Sequence, residues 1–88
     1  MNQFRFAFLV MAPDHDSSKD IAKIEEPSCR IIVVGVNSIE DACARACELV
    51  KSGTVNKIEL CGAFGSDGAR KVHEALGGNV PVGYIVDF

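Results

Sequence analysis

Hydrophobic and polar positions alternate at the start of the chain, with Phe4, Phe6 and Phe8 on one parity and Arg5, Ala7 and Leu9 on the other. Aromatic side chains at period two predict a strand over residues 4–11 that carries its phenylalanines on one face. Pro13 and the acidic cluster behind it end that strand. Residues 14–28 carry the weakest pattern. Ser17 or Ser18 can cap a short helix through Ile21 and Ile24 that stops before Pro27, and this is the favoured reading. A short edge strand over residues 22–26, paired with the next segment of the chain, is the alternative.

From Cys29 to Val36 the pattern changes to a nearly continuous β-branched run, Ile31-Ile32-Val33-Val34-Gly35-Val36. A strand apolar on both parities is the mark of a parallel sheet. Ser38-Ile39-Glu40-Asp41 then reads as a helix N-cap with acid in its first turn. Ile39, Ala42, Cys43, Ala46, Leu49 and Val50 follow at helical spacing, and Gly53 is placed to end the helix. A strand over residues 55–61 and a helix from Ser66 to Leu76 come next, the helix with Ala69, Val72, His73 and Leu76 along its inner stripe. Gly77-Gly78 closes that helix. Val80 to Val86 is the last strand, and Pro81 assigns it to an edge or delays its pairing.

Strand, helix, strand, helix, strand from Cys29 to Val86 makes two overlapping βαβ units, whose right-handed crossovers set neighbouring strands parallel. With residues 4–11 added, the expected fold is α/β: one domain over residues 1–88 with a small four-stranded, mostly parallel sheet. It reads as a flavodoxin-like fragment or a partial barrel. Two helices are too few to cover both faces of such a sheet, so an apolar face is left wanting a partner, and a homo-oligomer is expected.

Composition narrows the function classes. A chain of 88 residues buries only roughly 60–65% of the surface its unfolded form exposes, which leaves a marginal core. The net charge of −3, with nine basic residues scattered singly, speaks against nucleic acid, which needs clustered Lys and Arg. The apolar run Phe6 to Ala12 is far short of the roughly 20 residues of a membrane span. It also lacks a small-x-small cleavage pattern before Pro13, so it reads as the first strand of a cytoplasmic protein. Cys29, Cys43, Cys47 and Cys61 all fall within apolar strand or helix patterns, as reduced core thiols do. Cys43 and Cys47, one turn apart, offer a metal half-site, but no further Cys or His accompanies them, and they read as small residues facing the sheet. Nothing asks for a cofactor or a metal.

Ligands of open parallel sheets bind beyond the carboxyl ends of the strands. Those ends here carry Pro13-Asp14-His15-Asp16, Gly35-Val36-Asn37-Ser38 and Cys61-Gly62-Ala63-Phe64-Gly65-Ser66-Asp67. The last is a strand, a glycine-spaced turn and a helix start. Gly62, Ala63 and Gly65 bring backbone N–H groups towards one point, with Ser66 and Asn37 as added donors for a small anion. The same glycines and Ser66 also serve any tight turn with a helix cap. The turn lacks a P-loop lysine and the dinucleotide spacing. Cys61 ends its strand beside a helix start, which favours thiolate, and with His15 it would make the minimum nucleophile–base pair. Glu59, a carboxylate in an apolar strand, would serve as general acid or base if a helix covered it, and otherwise pairs with Lys57 or Arg70. Asp14-His15-Asp16 reads as a solvated turn, and His73 as a core or interface histidine.

Glu59-Leu60-Cys61-Gly62-Ala63-Phe64-Gly65, with Ile32 to Val36 and Val80-Pro81-Val82-Gly83, resembles a family of small bacterial proteins catalogued only as a domain of unknown function. The likeness runs from the first strand to the last. Ala63 stands where that family's pattern has a second glycine. The resemblance implies an α/β fold and marks the Cys61–Gly65 turn as distinctive, and it transfers no catalytic residue. The leading expectation is a small oligomeric module that binds a small anionic metabolite at residues 61–67. A small enzyme using Cys61 or Glu59, and an interaction protein with an empty rim, stand beside it.

Overall fold

The computed structural model describes residues 2–88. Along the chain come β1 (Phe4–Met11), β2 (Ile21–Glu26), β3 (Cys29–Val36), α1 (Ile39–Lys51), β4 (Ile58–Leu60), a single 3-10 turn (Gly62–Phe64), α2 (Gly65–Ala75) and β5 (Val82–Tyr84). They form one five-stranded sheet in the order β2-β3-β1-β4-β5. β1, β3, β4 and β5 run parallel, while β2 is antiparallel to β3. Counting the parallel strands alone, the order is 2-1-3-4, the order in which one class of doubly wound sheet begins.

β2 corrects the expectation of a helical turn and of four strands. Ile21 and Ile24 fit a helix at i, i+3, but a helix this short is marginal on its own. Pro27-Ser28 instead makes a two-residue hairpin loop that sets Glu26 opposite Cys29. The outer backbone groups of the β3 run thereby gain a full row of partners. Arg30 reinforces the pairing, donating from Nε and Nη2 to the two oxygens of Glu25 at 2.7 and 3.2 Å. These bonds, with one from Gln3, hold the Glu25 carboxyl well below its ordinary range, at about 2. The loop before β2 closes on itself: Asp16 accepts from the Ser18 hydroxyl and N–H, which lowers its pKa, and donates its own N–H to Asp20.

The helices settle where topology sends them. The crossovers β3-α1-β4 and β4-α2-β5 both step in the same direction across the sheet, so right-handedness puts α1 and α2 on one face. That face carries Ala7 and Leu9 of β1, Ile32, Val34 and Val36 of β3, and Ile58 and Leu60 of β4, all buried. Ala42 and Ala46 of α1 and Ala69 and Val72 of α2 close over them. Ser38 caps α1, its Oγ accepting the Asp41 N–H at 3.0 Å. Gly68 leaves room for the Phe64 side chain one turn earlier: a Cβ there would sit 3.1 Å from it and 3.5 Å from Ile39 of α1. Cys43 and Cys47 face α2 rather than the sheet, with their Sγ atoms on Lys71 O and Ala75 O. Burial, then the neighbouring Cys47, pushes the Cys43 thiol up.

The opposite parity meets no helix among the described residues. Phe4, Phe6, Phe8 and Val10 of β1 line up there with Ile31 and Val33 of β3 and with Ala22 and Ile24 of β2. Phe4 and Ile24 are 51% and 55% exposed.

Candidate functional site

The carboxyl ends of β1, β3, β4 and β5 share one rim because these strands are parallel. From β1 the chain moves to β3 on one side and then jumps to β4 on the other. The order therefore reverses between the ends of β1 and β4, where doubly wound sheets place ligands. Here a side chain fills that crevice. Cys61 donates its N–H to Leu9 O, and its Sγ accepts the Met11 N–H at 3.3 Å.

Beyond Cys61 the backbone turns tightly. The Phe64 N–H returns to Cys61 O and the Gly65 N–H to Gly62 O, while the buried Phe64 ring pins the turn to the core. Gly65 has φ 62° and ψ −176°, a conformation open to glycine and costly for a side chain. α2 starts there with no side-chain cap, so its first-turn N–H groups after Gly65 have no side-chain acceptor. They open on a groove of about 430 Å³ between Gly62, Gly65 and Ser66 on one side and Tyr84 to Asp87 on the other. A second groove, of about 590 Å³, continues from Ser66 along α2 past Arg70 and His73 to Lys57. Its cations have carboxylate partners: Arg70 lies 3.1 Å from Asp67 and Lys57 2.9 Å from Glu59.

The remaining expected site residues scatter around this groove. Ala63 is exposed and lies outside its lining. Asn37 follows β3, two strand spacings or about 10 Å from the end of β4. Its N–H is held by Asp41 Oδ2 at 3.1 Å. His15 folds back over the uncovered face, donating from Nδ1 to Val10 O at 3.0 Å. Its ring occupies space that only glycine leaves, since a Cβ at Gly35 would lie 2.9 Å from Nδ1. His15 and Cys61 are thus both tied to β1 backbone groups and form no nucleophile–base pair. Glu59 lies half-buried on the face without helices, where it pairs with Lys57 at 2.9 Å instead of meeting a covering helix.

The wall from Tyr84 to Asp87 is the part that sequence patterning misses. It reaches the rim because β5 joins β4 in parallel and the Ile85 N–H extends the pairing to Leu60 O. The signal for it is the parallel βαβ rule itself, which delivers the end of the last strand to the same rim as the glycine turn. Among the described residues, no cluster of three His, Cys, Asp or Glu side chains is placed to hold a metal ion, and no helix is long and apolar enough to cross a membrane.

No curated protein and no solved structure matches the chain. The model of a family of unknown function, DUF6506, matches residues 4–87, nearly the full length. A fold set by β1 at one end and β5 at the other, with the glycine turn between them, is therefore that of a member of the DUF6506 family.

Proposed function

We propose that the chain binds a small anionic metabolite at the start of α2, in the groove between Gly62–Ser66 and Tyr84–Asp87. One observation carries this reading: the uncapped N-terminus of α2 opens at Ser66, where two grooves meet. First-turn N–H groups without a side-chain cap and the helix dipole together favour an anion there. Gly65 supports it by holding the turn in a conformation that keeps side-chain bulk out of the groove. The charge of Asp67 is offset by Arg70, while Asp87 on the facing wall opposes an anion and directs it to the Gly65–Ser66 side of the groove. The exposed Ser66 hydroxyl and the His73 ring are further donors in reach of a larger ligand.

Thermal unfolding with phosphate, nucleotides and small carboxylates tests the proposal. A ligand at ten times its Kd stabilises by about 1.4 kcal/mol, a rise of several degrees for a domain this small. Ser66→Glu sets a carboxylate at the helix start, where it suits the dipole, and should abolish the shift while the fold is kept. No shift with any of the three classes at 10 mM, a concentration on the order of ten times a millimolar Kd, would contradict the reading.

A further inference from the structure

We propose that the helix-free face of the sheet is the interface of a symmetric dimer, two copies packing sheet against sheet with their helices outward. This inference is independent of the ligand reading. The face is built as interfaces are, with apolar residues at the centre and polar ones at the border. Phe6, Phe8, Ile31 and Val33 occupy its middle. Glu26 and Asp20 stand at its margins, and the Lys57–Glu59 pair on β4, beside Phe8, bounds the apolar patch on the β5 side.

The observations select a second copy as the occupant. β1 is the central strand of five and carries the aromatic row, with Phe4 and Phe6 rings 5.3 Å apart. A twofold axis lying midway between the two sheets, over β1, sets that row against itself, the self-complementary arrangement a symmetric dimer requires. Lys57 is neutralised by Glu59 within each copy, and the charge left on the face, Asp20 and Glu26, stands at its border where solvent screens it. Among the described residues the face also has no cationic cluster to attract a nucleic acid or an anionic membrane.

Area agrees. The five strands hold 28 residues. At about 3.3 Å rise and 4.8 Å spacing they span on the order of 450 Å² in plan, and more as accessible surface. Specific interfaces bury about 800 Å² per partner and at least about 500 Å², so the dimer must use the whole face with its side-chain relief and polar rim. Two twisted sheets with such faces pack about 10 Å apart with strands crossing near −30°. The result is a four-layer assembly, helix–sheet–sheet–helix, that gives a marginal 88-residue core a second core.

Sedimentation equilibrium of the whole chain tests the proposal. The expected mass is twice the 9.4 kDa of one copy. Phe6→Glu and Ile31→Lys should each raise the dimer Kd at least 100-fold while circular dichroism retains the α/β signature. A 9.4 kDa species at 100 µM wild-type chain would overturn the proposal, as would a dimer that both folded variants leave intact. Should both variants unfold, isotope-filtered NOEs between labelled and unlabelled wild-type copies decide. Contacts at the Phe6 and Phe8 rings support the interface, and their absence refutes it.

Discussion

The two faces of this sheet are made by the same strands and differ by one residue in parity. Leu9 is fully buried beneath the helices, while its neighbour Phe8 points to the face that has none. The difference comes from connectivity more than from composition, since β3 is apolar on both sides. Both βαβ crossovers step the same way across the sheet, so their helices share a face. The connection able to cover the other face, residues 12–28, forms a loop and β2 instead of a helix. An apolar face without a helix is thus written into the order of elements. Hydrophobic patterning reports which residues want burial, and topology decides which obtain it within one chain.

The contrast between the faces should be greatest at adjacent positions of β1. Leu9→Ala should cost about 3 kcal/mol in urea unfolding, the cost of a cavity in a filled core. Phe8→Ala, assayed at concentrations too dilute for assembly, should cost less than half of that. Equal losses would mean that the second face is covered within the monomer.

A finer probe lies at the rim of the open face, where His15 rests over Gly35. Gly35→Ala should cost about 1–2 kcal/mol by displacing the ring from Val10 O. In a His15→Ala background that penalty should largely vanish, so the double-mutant cycle reads the contact directly. Additive losses would contradict it.

On the covered side, Ser38→Ala should cost about 1 kcal/mol by removing the α1 cap. Ser38→Asp should restore most of that, because the carboxylate oxygen accepts the same N–H.

The slightest effect concerns pH. Glu25 titrates at about 2 in the fold, below its ordinary value of 4.5, because Arg30 and Gln3 donate to it. A lowered carboxyl pKa adds stability above the unfolded value and loses it as pH falls through the folded one. Amide protection in β2 should therefore decline between pH 4.5 and 2, and Glu25→Gln should flatten that dependence.

Much of this architecture is legible in the residues. The period-two phenylalanines mark β1, the β-branched run marks β3, and the Ser38 cap with its helical stripe marks α1. Each signal is local and repeated several times over. β2 escapes such reading because Ile21 and Ile24 suit a helix as well as a strand, and only pairing with β3 decides between them. Apolar pattern also overstates strand length where the backbone loses partners: β4 is Ile58–Leu60 and β5 is Val82–Tyr84, its pairing starting after Pro81. Cys43 and Cys47 face α2 and not the sheet, because a helical stripe fixes an angle but not which neighbour lies along it. At the rim, the glycine turn is visible as a motif. Its second wall and the seat of His15 over Gly35 are not, since both depend on contacts between residues distant in the chain.

Every conclusion about the open face depends on α1 and α2 lying together on the other side, and NOE contacts from helix methyl groups report that placement. Among sheet residues, the methyls of Ala46, Ala69 and Val72 should show contacts only with the face of Leu9, Ile32, Val34, Ile58 and Leu60. A contact from any of them to the Phe6 or Phe8 ring within one copy would contradict the topology and the open face together.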